Sequence, residues 1–159
     1  MSCALALASA LLLADPVAAT AAAQPAAATA AAPVSVAGEP LFADIIARSA
    51  RLKAVVDGWS ASGAADASGF VTGADFTAFK AQTVELAALD MQGHVILRER
   101  GTDGDLKCIL RGISEDMPKK VAAVESAADA HARHTALEEL AYLLNDNVEV
   151  ITAPPQPEV

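Results

Sequence analysis

Two histidines and a glutamate, His131, His134 and Glu138, come nearest in this chain to the residue types and spacing of a metal site. Positions i, i+3 and i+7 share one face of a helix, and neutral imidazoles with a carboxylate suit Zn²⁺ or Cu²⁺. Glu149 extends the same polar flank and Asp129 is near. The HExxH pattern, which would set a general base between two ligands, is absent. Polar residues also belong at a helix start, so a solvated helix face is the preferred reading and a zinc or copper site the alternative. His94 would join the set only if the fold carried it there.

Cys108 would be the sole thiol once a leader carrying Cys3 is removed, with no partner for an intramolecular disulfide. Its place beside an apolar stripe predicts a buried structural cysteine. An exposed thiol next to Lys107 and Arg111 would instead be reactive, or would pair two chains in an oxidising compartment. Residues 64–75 faintly resemble a calcium loop, with Asp66, Ser68, Gly69 and Asp75 in register, but Ala64 stands where the first carboxylate ligand is needed. No GxSxG elbow, phosphate-binding glycine loop or dinucleotide fingerprint occurs. The adjacent carboxylates Glu115-Asp116 and Glu138-Glu139 diverge on a helix rather than converge on a substrate. Catalysis is therefore not expected.

The elements that must position these residues are helices. Within residues 106–128, Leu106, Ile109, Leu110, Ile113, Met117, Val121, Val124 and Ala128 recur at steps of three and four, which lines one helical stripe. Leu41, Phe42, Ile45, Leu52, Val56 and Trp59 form another such face behind Pro40, a residue tolerated at a helix start. A third runs from Thr72 or Gly73 through Phe76, Phe79, Leu86 and Met91. A fourth carries Leu137, Leu140, Leu144, Val148 and Ile151, with Thr135 and Glu138 in a capping-box pattern. The predicted fold is all-α, an antiparallel four-helix bundle over residues 41–151. Gly112 and Pro118 predict a third helix kinked or broken near 112–118. The competing fold is α+β, with a β-hairpin at about 94–111 turning at Asp103-Gly104, although Ile109 spoils its alternation.

Outside the bundle the composition changes. Of the 159 residues, 53% are hydrophobic, and the excess is alanine gathered before residue 40. The apolar run at 4–14 has the length of a signal-peptide core and falls short of the about 20 residues that span a bilayer. Residues 1–19 therefore read as a signal peptide cleaved after Ala19 or Ala23. Residues 20–40 read as an Ala/Pro-rich disordered linker and residues 152–159 as a Pro-rich disordered tail. A net charge of −9 with interleaved basic residues offers no field for a phosphate backbone, which excludes nucleic acid as a partner.

The expectation is a bacterial exported bundle, periplasmic or secreted, with no stable membrane span after cleavage. It would bind a protein or envelope component. The alternatives are a metal-binding or metal-responsive bundle and a small-ligand carrier with a pocket between its helices.

Overall fold

A computed structural model describes residues 35–101 and 104–154. The expected signal peptide, most of the linker and the last residues of the tail lie outside the described residues. Four helices follow in order: α1 (Pro40–Ser62), α2 (Ala74–Glu99), α3 (Leu106–Glu125) and α4 (Ala130–Thr152). Two short 3-10 turns, Ala64–Asp66 and Phe70–Thr72, join α1 to α2. The helices pack antiparallel around one core, each against its neighbours in sequence, with α4 closing the ring on α1. Among the described residues there is no strand.

Local chemistry sets the helix ends. Pro40 opens α1 in the first turn, where its missing N–H costs nothing, and Gly63 ends it in the left-handed region at φ 72°. Helix α4 starts at Ala130, because the Asp129 carboxylate accepts from the Ala132 N–H at 2.8 Å. The helix therefore begins ahead of the expected capping box. Thr135 is not a cap; its hydroxyl donates to the His131 carbonyl one turn back. Helix α2 likewise begins after Gly73 rather than Thr72.

Phe42, Ile45, Leu86, Leu110, Met117, Leu137, Leu140 and Leu144 fill the core and are fully buried. Val36, ahead of α1, already packs against it. The hairpin alternative fails because residues 94–99 continue α2 and residues 106–111 open α3. Gly93, inside α2, is a packing residue. A Cβ built there would lie 3.1 Å from Leu110 Cδ1 and 3.2 Å from Phe42 Cε1, so its bare backbone lets α1 and α3 close on α2.

Of the kink or break expected near 112–118, the break does not occur, and α3, which ends at Glu125 and so leaves Ala128 outside it, runs on through Pro118. Pro118 is exposed, while Ile113, Met117, Val121 and Val124 stay buried in one register. Packing of that stripe outweighs the lost N–H, and the Ser114 hydroxyl fastens the same turn to α2 by donating to the Ala87 carbonyl at 2.7 Å. Proline inside a helix costs about 3 kcal/mol relative to alanine, offset by about 1 kcal/mol through its stiffening of the unfolded chain. Pro118→Ala is therefore expected to stabilise the bundle by about 2 kcal/mol, read as a higher urea midpoint with an unchanged slope.

Candidate functional site

The bundle scatters the residues singled out by type and spacing. His131 and Glu138 are exposed on α4. His134 Nε2 lies 3.0 Å from Asp66 Oδ1 on the first 3-10 turn, an ion pair when the ring is protonated. His94 sits on α2 near the start of α3, with its Nδ1–H donating to the Lys107 carbonyl at 2.6 Å. This is the opposite end of the bundle from the histidine pair. Among the described residues no group of three His, Cys, Asp or Glu side chains is placed to hold a metal ion. Cys108 is exposed rather than buried, because the apolar stripe of α3 runs through Leu106, Ile109 and Leu110 and leaves residue 108 outside.

Two features emerge instead. The first is a polar centre inside the core, where Ser49 of α1, Asp90 of α2 and Asn147 of α4 are all fully buried. The Asn147 amide nitrogen donates to Ser49 Oγ at 3.1 Å and to the two Asp90 oxygens at 3.0 and 3.1 Å. Burial pushes the Asp90 carboxyl up to about 7, and the Asn147 hydrogen bond only partly opposes it. Asn147 Oδ1 is buried with no partner among the described residues. Asp90 falls between Leu86 and His94 at steps of four, and Asn147 between Leu144 and Ile151 at steps of three and four. A polar residue on an apolar stripe was therefore the available signal.

The second feature is the seam between α1 and α2, the loosest of the four helix pairings. Arg48 and Glu85 close it with an ion pair at 3.0 Å. Beyond that pair the helices part around a hollow of about 350 Å³ lined by Leu52, Val55, Trp59, Asp75, Ala78, Phe79 and Gln82. A second hollow of about 300 Å³ continues past Trp59 and Asp75 to Phe70 and the 3-10 turns. Trp59 is held by rings, with centroids 4.9 Å from Phe79 and 5.0 Å from Phe70, both edge-on. Val55 is 41% exposed at the rim, whereas Leu52 and Phe79 form a buried floor. On the α2–α3 seam a smaller hollow of about 100 Å³ lies beside Val84 and Pro118.

No family model, curated protein or solved structure matches this chain. Its chemistry is read from these residues alone. The polar centre has no access from either seam hollow, since neither is lined by Ser49, Asp90 or Asn147. Through Asn147 it links α1, α2 and α4 by hydrogen bonds. The α1–α2 seam is open, with Leu52 and Phe79 as a buried floor and Asp75 and Gln82 beside the exposed Val55.

Among the described residues no helix is long and apolar enough to cross a membrane.

Proposed function

We propose that this chain is an exported helical-bundle protein, periplasmic or secreted, that acts without catalysis by binding another protein or envelope component through the α1–α2 seam. The observation that carries the reading is the pair of adjoining hollows sharing Trp59, an anchored indole bordering open space of mixed polar and apolar lining. Aromatic residues set in such clefts carry a large share of the energy in protein interfaces. Export rests on the apolar run at 4–14 and the small residues at 17–19.

A carrier of small ligands is less well supported, because such ligands are mostly enclosed, and these hollows lie open between helix rims at the lower bound of the roughly 300–1,000 Å³ usual for ligand pockets. Val55→Glu puts a charge at the exposed rim without touching the buried floor. Cross-linking in envelope extract is expected to join the wild-type protein to a partner and to lose that partner in Val55→Glu, with unchanged helical content by circular dichroism. Equal cross-linking by both proteins, or none by either, overturns the reading.

A further inference from the structure

The seam has a charge as well as a shape. On α1, Asp57 is taken by Lys53 at 2.7 Å, and on the adjoining turn Asp66 faces His134. Asp75, in the first turn of α2, borders both hollows and forms no ion pair among the described residues. The start of α2 brings a positive helix end worth about half a charge, which leaves Asp75 net negative. The cations nearest in sequence along the seam are used or set aside. Arg48 is held by Asp44 and Glu85, Lys80 reaches Glu125 of α3, and Arg51 is not among the residues lining the hollows. An unpaired carboxylate and an indole therefore border the same space, and the carboxylate attracts a cation.

We infer that the seam takes a segment of a partner protein in which a large apolar side chain stands next to a lysine or arginine. The apolar side chain fills the hollow over Leu52 and Phe79, and the cation meets Asp75 beside Trp59. This rests on the seam being the binding face and adds the chemistry of what it binds. A segment with an acidic residue in that place would leave its charge against Asp75 and is selected against.

Trp59 is the chain's single tryptophan, so its emission reports on the seam alone. The probes are two synthetic amphipathic peptides, identical except for one central lysine or glutamate beside a phenylalanine. The lysine peptide is expected to change Trp59 emission and to shift the amide resonances of residues 52–59 and 75–82. Asp75→Lys is expected to weaken it roughly tenfold, whereas Glu138→Lys, with the same change in net charge on exposed α4, leaves it within about twofold. Equal effects of the two substitutions would show attraction to an acidic protein at large and overturn the inference. Equal binding of both peptides at the seam also overturns it, while leaving the seam as a binding face. Resonance shifts absent from the seam remove both. Trp59 emission that changes on dilution, together with dimers in sedimentation, assigns the seam to a second copy of the chain and overturns the inference as well.

Discussion

Asp90→Asn is expected to flatten the pH dependence of the bundle's stability and to raise its melting temperature at neutral pH. The Asp90 carboxyl has an ordinary value of 3.8 and is pushed up to about 7 in the folded core. Below 3.8 it is protonated in both states and costs nothing. As pH rises from 3.8 to about 7, the unfolded chain releases the proton and the folded chain keeps it. Folding stability then falls by about 1.4 kcal/mol per pH unit. Above about 7 both states are ionised and the loss is complete, a few kcal/mol in all. No cation offsets the burial, which only the Asn147 hydrogen bond opposes. Arg48 of α1 turns outward to Asp44 and Glu85, His94 one turn along α2 binds the Lys107 carbonyl, Ser114 of α3 bonds Ala87, and α4 offers the neutral Asn147.

An amide at position 90 is neutral at every pH and nearly isosteric. The wild type and Asp90→Asn should therefore unfold alike near pH 4 and differ by roughly 10 °C in melting temperature near pH 7.5, with the variant higher. Other titrating groups cancel in the difference between the two proteins. Parallel stability profiles across that range would show that the core does not hold the carboxyl neutral.

Gly93→Val is expected to loosen the bundle, whereas Gly93→Ala is expected to be nearly neutral. The alanine methyl must displace Leu110 Cδ1 and Phe42 Cε1 by a few tenths of an ångström, a cost set against the about 1 kcal/mol that alanine gains over glycine inside a helix. Valine adds two further methyl groups where α1 and α3 already meet α2. Overpacking of this kind costs about 1–3 kcal/mol or more. Urea unfolding of the three proteins decides the point: a valine variant as stable as the wild type would mean that the helices do not close on Gly93.

The helices were legible because their apolar residues recur at the spacing of a helical face. Leu137, Leu140, Leu144 and Ile151 all reach zero exposure. The breaks were read less well, and for a common reason. Gly93 and Pro118 carry local penalties that the sequence shows, but the packing that outweighs them is supplied by residues far along the chain, Phe42 and Leu110 for the first and the buried stripe of α3 for the second. Cys108 illustrates the resolution of a periodic pattern. One step of 100° separates it from Ile109 and places it outside. The polar centre escaped because Ser49, Asp90 and Asn147 lie on three helices and only the tertiary fold brings them together. The seam escaped similarly, since Trp59 and Asp75 sit on opposite sides of the turns that join α1 to α2.

An even number of antiparallel helices also gives the molecule a direction. The Arg133 guanidinium donates to the Ala65 carbonyl, which sets the start of α4 beside the end of α1 and returns Thr152 to the level of Pro40. Arg100, just past α2, reaches Glu39 there as well. Trp59 lies nineteen residues along α1 from Pro40, roughly 30 Å away at the rise of an α-helix. Ser35 and Pro154 therefore lie toward one pole of the bundle, and Trp59 lies toward the other.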